Sequence, residues 1–327
     1  VHLSELSSPI PSLESIGISI TSPIKEGPTD LIPGLLPRQG QLVIAGQTDI
    51  GKSLSALEIC SSLTTGKPLW GELEPTIKAK RILYVLGEHY VEVIQRLWQH
   101  TKLPMTDQVF ILGPEQLGFD KWLVAQGKPN LQAISKFQKW AKDCDLVVFD
   151  PLSAFVTGID VENDNIQMRL VLDTMTGVAQ STGASCLVLA HQGKPYMGQD
   201  GQEHARKSYA IRGASAIEDA ATNIFYLGKS AGVSDVAQKA TDNQIFAMTR
   251  RKYKGSAPSE YKLLRDPITL THTLLGNRPF VEVMKIATQA KMYRLREALP
   301  EMSTRDVVKI IAATEGINER TVWRHLE

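Results

Sequence analysis

The chain has 327 residues, 43% of them hydrophobic, with 36 Lys and Arg against 35 Asp and Glu for a formal charge of +1. That balance excludes a disordered chain and a strongly basic one, and leaves room for one large core with a small appendage. Cys60, Cys144 and Cys186 are far apart, odd in number and set in apolar surroundings, so neither a disulfide framework nor a thiolate metal site is expected and a reducing cytoplasm fits. No apolar run approaches the ~18 residues of a membrane span. The start Val1-His2-Leu3-Ser4 lacks a basic region followed by a hydrophobic stretch, so no membrane association is expected.

Residues 1–28 are rich in Ser, Pro and Ile without a sustained period, which predicts an arm lacking a core of its own. Ile18 and Ile20 would suit packing on a neighbouring subunit. From Asp30, Gly and Pro punctuate a short apolar turn that feeds the first strand. That strand, Gln41 to Ala45, runs into Gly46-Gln47-Thr48-Asp49-Ile50-Gly51-Lys52-Ser53-Leu54 and then a helical stretch. Strand, glycine-bounded loop and helix make a P-loop, in which backbone N–H groups and the positive end of the helix dipole cradle phosphates. Lys52 is expected to reach the β- and γ-phosphates of ATP, and the Ser53 hydroxyl to hold Mg²⁺. The turn after Asp30 is expected near the nucleotide base.

Further on, short runs rich in Val, Ile and Leu recur at 81–86, 108–112, 145–150 and 185–190. Such runs read as strands buried on both faces, which predicts an α/β fold with a mostly parallel sheet covered by helices. Later runs at 223–228, 244–249, 261–264 and 269–274 lie closer together and are expected to form hairpins extending one edge. Asp150 ends the strand LVVFD where an open α/β sheet binds ligands, so it is the expected carboxylate partner of Mg²⁺, through water. Glu88 follows the run RILYVLG at the tip of a neighbouring strand and can orient or deprotonate the attacking water; Glu92 is the nearest competitor.

Taken together these stations resemble the RecA-like superfamily of hexameric helicases, in particular the single-domain plasmid and phage replicative type described as RepA-like. The likeness runs from about Asp30 to about Leu275. It includes the acidic loop with Asp160, Glu162 and Asp164, the strand ending in His191, the segment Arg212-Gly213-Ala214-Ser215, and the basic run Arg250-Arg251-Lys252-Tyr253-Lys254. The resemblance implies an ATP-hydrolysing DNA motor working as a ring, with a hexamer as the expected homo-oligomer and other replication proteins as possible partners. It implies that His191 senses nucleotide state. It also implies that a basic residue of the 250–252 run reaches a neighbour's nucleotide, with Lys252, or Arg251 in a register slipped by one, filling the place. The segment 193–211 lacks periodicity, as a mobile loop does, and Lys194, Arg206, Lys207 and Arg212 could meet a single-stranded DNA backbone there. From His191 to Arg265 twelve Lys and Arg face seven Asp and Glu, a local excess that leans toward phosphate contacts.

From Val281 the composition turns helical. Ser303 is placed to cap a helix carrying Val307, Ile310 and Ile311, and Asn318 to cap a second one carrying Val322 and Leu326. Two helices joined by a glycine turn predict a helix-turn-helix that exposes Arg320, Thr321 and Arg324 to duplex DNA. The organisation expected is an arm at 1–28, an ATPase domain at 29–280 and a helical unit at 281–327. Two other readings stay open: an ATP-switched DNA-binding regulator or recombination accessory protein without unwinding activity, and a ring-forming clock or signalling ATPase.

Overall fold

The computed structural model describes residues 30–158, 165–191, 217, 220–229, 245–252, 260–266, 268–275, 298–315 and 318–326, with shorter stretches at 196–197, 203–204 and between 285 and 296. The arm at 1–28 and the acidic loop with Asp160, Glu162 and Asp164 lie outside the described residues. So do Lys194, Arg206, Lys207 and Arg212.

Among the described residues, nine strands form the main sheet: β1 (Gln41–Gly46), β2 (Ile82–Leu86), β3 (Val109–Leu112), β4 (Leu146–Asp150), β5 (Ser185–His191), β6 (Asn223–Lys229), β7 (Ile245–Lys252), β8 (Glu260–Arg265) and β9 (His272–Leu274). Their spatial order is β9-β8-β7-β6-β1-β5-β4-β2-β3. The six strands from β6 to β3 are parallel, and β7, β8 and β9 add an antiparallel edge. The central strand β1 therefore has β5 on one side and β6 on the other, and β5 separates it from the strand that ends in Asp150.

The alternation of strand side chains divides the apolar residues between two cores. Leu42, Ile44, Tyr84 and Val148 face one side and pack with Leu57, Ile59 and Leu63 of α1 (Lys52–Thr65) and Ile94 and Trp98 of α2 (Val91–His100). Val43, Ala45, Val147 and Phe149 face the other and pack with Phe137 of α3 (Leu131–Trp140) and Val171, Leu172 and Met175 of α4 (Asn165–Gln180). With helices on both faces, the strands must be apolar throughout, which is why they read as uninterrupted runs. All three cysteines lie buried in these cores, and burial pushes their thiols up, Cys144 to about 11.

Three differences from the sequence reading have physical causes. The strand expected over 269–274 is shortened to β9, because the Asp266 carboxylate accepts hydrogen bonds from the backbone N–H of Ile268 and Thr269 and holds a turn there. The turn after Asp30 does not approach the phosphate loop. Gly34 and Leu35 offer their carbonyls to Tyr261 and Asn223, and Asn223 pairs with Leu42 near the start of β1, at the far end of that strand. Within the segment read as an aperiodic loop, Tyr196–Met197 pairs with Glu203–His204 as a short antiparallel ladder.

Near the C-terminus, α5 (Thr304–Glu315) and α6 (Glu319–Leu326) share a small core of Met292, Val307, Val308, Ile311, Ala312 and Val322. Ser303 caps α5 by accepting from the Asp306 N–H, and Asn318 accepts from the Arg320 N–H at the start of α6. Ile310, expected in the stripe, is only half-buried, and Val308 takes the buried place beside Val307. Among the described residues, no helix is long and apolar enough to cross a membrane.

Candidate phosphate-binding site

Both ends of the loop that leaves β1 are constrained to glycine. A Cβ on Gly46 would meet the Leu227 carbonyl oxygen at 2.5 Å, a backbone atom that cannot yield. Gly51 caps α1 with φ of 108°, a left-handed conformation that L side chains resist. No side chain caps this helix among the described residues, so its first N–H groups remain available to an anion. Lys52 opens the helix and is buried. Its ammonium donates to the carbonyls of Gly46 at 3.2 Å and Gln47 at 2.7 Å, spanning the base of the loop. Burial lowers its pKa, an effect opposed by the charges of Asp150 and Asp49.

Asp150 comes to the same place from β4. Its carboxylate accepts from Tyr84 Oη at 2.8 Å and is hydrogen-bonded by Ser53. Burial holds this carboxyl above its usual range, while Ser53, Tyr84, Lys52 and His89 favour the charged form. Burial likewise keeps the Tyr84 phenol protonated, as a donor must be. A hydroxyl beside a carboxylate, with one carboxylate oxygen already held by Tyr84, is an all-oxygen donor set suited to a hard cation such as Mg²⁺.

Gly51, Lys52 and Ser53 line a cleft of about 570 Å³ with Thr48, Asp49, Glu88, His89 and His191, and Asp150 stands behind it, reached through its hydrogen bond with Ser53. Glu88 follows β2, whose last residue Leu86 pairs with Asp150, and its exposed carboxylate accepts from Ser153 Oγ at 3.4 Å. His191 ends β5 level with Gly46. Glu92, in the first turn of α2, is not among the described residues that line the cleft. The loop 46–54, Asp150, Glu88 and His191, read from distant parts of the sequence, thus meet at one end of the sheet.

The basic run sits elsewhere. Arg250 pairs with Phe225, level with Ile44, and Lys252 pairs with Ile224, level with Val43; both lie two strands away from β1 and below its loop. The register shifts between those two pairs, so Arg251 falls in a bulge and is exposed. Arg320 and Arg324 are exposed on α6 with Trp323 between them.

Three residues in or behind the cleft escaped the sequence reading. Tyr84 carried a faint signal, being the one phenol in an aliphatic buried run, since a buried hydroxyl needs a partner. His89 adjoins Glu88 and was passed over. Arg265 gave no local signal: it ends β8, yet its guanidinium bonds the Ile50 carbonyl of the phosphate loop 215 residues away.

No curated protein matches the chain. A family model described as AAA domain matches residues 19–197, more than half of the chain. With glycine-bounded loop, buried lysine, Ser53 and Asp150 gathered at one end of a mostly parallel sheet, the chain belongs to the AAA domain family of P-loop ATPases.

Proposed function

We propose that this ATPase is a nucleic-acid motor resembling plasmid and phage replicative DNA helicases, with its ATP sites completed between subunits of a ring. In this reading Lys52 leaves the carbonyls of Gly46 and Gln47 for the β- and γ-phosphates, exchanging neutral acceptors for charged ones. Ser53 and Asp150 would hold Mg²⁺, Asp150 through water, and the ion would neutralise the charge that grows on the transferred phosphoryl group. Glu88 orients the attacking water from the neighbouring strand tip, and its exposure leaves the side chain room to turn inward. His191, one strand from Asp150, links the γ-phosphate end of the cleft to the segment that follows it.

The observation that carries the ring is the position of the basic run. Arg250, Arg251 and Lys252 are not among the described residues that line the cleft of their own chain, and Arg251 stands exposed at the bulge, as a residue acting on a neighbour requires. A second reading, an ATP-switched DNA-binding regulator, is favoured by α6. Its exposed Arg320, Trp323 and Arg324 give the C-terminal helices a basic, aromatic face suited to a duplex, as a helix-turn-helix would have.

A strand-displacement assay with and without ATP separates the two. ATP-dependent displacement selects the motor, and ATP-dependent binding without displacement selects the switch.

A further inference from the structure

We infer that Arg265 is a positioning residue of the phosphate loop, held in place by a buried Glu58–His272 pair that ties the antiparallel edge of the sheet to α1. The inference rests on the P-loop ATPase assignment and is independent of the motor reading. Four contacts define it. Arg265 Nη2 donates to the Ile50 carbonyl, Arg265 Nε donates to His272 Nε2 at 3.3 Å, His272 Nδ1 meets Glu58 Oε2 at 2.7 Å, and the Arg265 guanidinium lies 3.9 Å from the centre of the Phe246 ring.

Hydrogen-bond chemistry fixes the direction of this chain. A guanidinium can only donate, so His272 Nε2 must accept and the proton of the neutral ring must sit on Nδ1, from which it is donated to Glu58. Glu58 in turn accepts from the His272 backbone N–H at 2.5 Å and from Trp70 Nε1 at 3.1 Å. The buried carboxylate is thereby saturated by groups from β9 and from the turn after α1, and it counters the burial that works against the charge of Arg265.

The consequence falls on one peptide. In a trans peptide the C=O and N–H point in opposite directions. Gripping the Ile50 carbonyl therefore aims the Gly51 N–H away from the guanidinium, and a fixed Gly51 N–H is one donor of the phosphate cradle. Gly51 also lies so close to the guanidinium that a Cβ there would collide with Nη2 and have to push it off the Ile50 carbonyl, while its positive φ independently favours glycine. Because Arg265 acts on the cradle and not on the attacking water or its base, its loss should weaken nucleotide binding and spare the chemical step. Losing one charge-assisted hydrogen bond is expected to weaken nucleotide affinity roughly tenfold.

The test is displacement of a fluorescent ADP analogue by ADP and ATP with Mg²⁺ present, alongside steady-state turnover and thermal melting, on the full chain. Arg265→Gln should raise both dissociation constants and KM about tenfold and leave kcat within about twofold. Arg265→Lys, a point charge that cannot bond His272 and Ile50 together, should fall between. Glu58→Gln should weaken ADP binding in the parent and add little in the Arg265→Gln background, because the two act through one path. Unchanged affinity in Arg265→Gln, a fall in kcat alone, a lowered Tm with parental affinity, or additive effects of the two substitutions would each overturn the inference. If Arg265→Gln fails to fold, parental affinity in Arg265→Lys overturns it and weakened affinity upholds it. A parent protein that binds neither nucleotide would instead refute the ATPase assignment.

Discussion

The two halves of the sheet build the cleft in different ways. In the parallel half, each candidate residue stands at or just beyond the C-terminal end of its own strand: Gly46, Asp150 and His191 as the last residues of β1, β4 and β5, and Glu88 just after β2. Adjacent strand ends converge there because parallel strands all point the same way. The antiparallel edge has no such convergence, and it contributes through side chains that reach back, Arg265 to Ile50 and His272 to Glu58, across more than 200 residues. In the proposed reading the parallel half supplies the groups that would meet phosphate and metal, and the edge those that would hold them in place.

If that division is right, substitutions in the parallel half should strike turnover and those at the edge should strike affinity. The largest expected effect is in Glu88→Gln, which removes the base while keeping size: turnover should drop by about 10²–10⁴-fold, with ADP and ATP still bound. Phosphate release measured at saturating ATP checks this, and a parental rate would pass the role elsewhere. Lys52→Ala should lower turnover by about 10²–10³-fold and weaken ATP binding too, since it removes the cation nearest the β- and γ-phosphates.

How much of this could be read in advance follows the same division. The P-loop, Asp150, Glu88 and His191 are legible because a strand run and the residue after it are contiguous in sequence, and the parallel fold then brings them together. The antiparallel edge was legible as hairpins, although the Asp266 turn shortened its last strand. Arg265 was illegible because its partner is set by tertiary register, and nothing in KLLRDP marks a guanidinium bound for a loop 215 residues earlier. Tyr84 shows an intermediate case, a phenol whose need for a partner was visible while the identity of Asp150 as that partner was not.

Smaller effects sharpen the comparison further. Asp150 has a folded-state pKa above its ordinary 3.8, mainly from burial. Below that ordinary value both folded and unfolded chains hold the proton. As pH rises through the interval between the unfolded and the raised folded pKa, the unfolded chain loses its proton first and the folded state is penalised. Asp150→Asn should therefore raise the Tm of the nucleotide-free protein at neutral pH, with the gain vanishing in strong acid, even as it removes the metal-supporting carboxylate. Equal melting of the two proteins at neutral pH would show that the carboxylate costs the fold nothing. Further still from the cleft, Ile311→Ala should cost the C-terminal helices about 2–5 kcal/mol and leave ATP turnover unchanged, since among the described residues Ile311 shares its core with neighbours from the last part of the chain. Protease resistance of α5 and α6 measured beside turnover checks it, and a matching loss of turnover would mean that the helices support the ATPase core.

The central claim is that the Glu88 cleft hydrolyses ATP in the service of nucleic acid, and the most direct measurement is phosphate release with increasing single-stranded DNA at fixed salt. The account expects a Mg²⁺-dependent rate in the parent protein that rises with DNA and is absent from Glu88→Gln at every DNA concentration. A rate indifferent to DNA, or one that survives in Glu88→Gln, would contradict it.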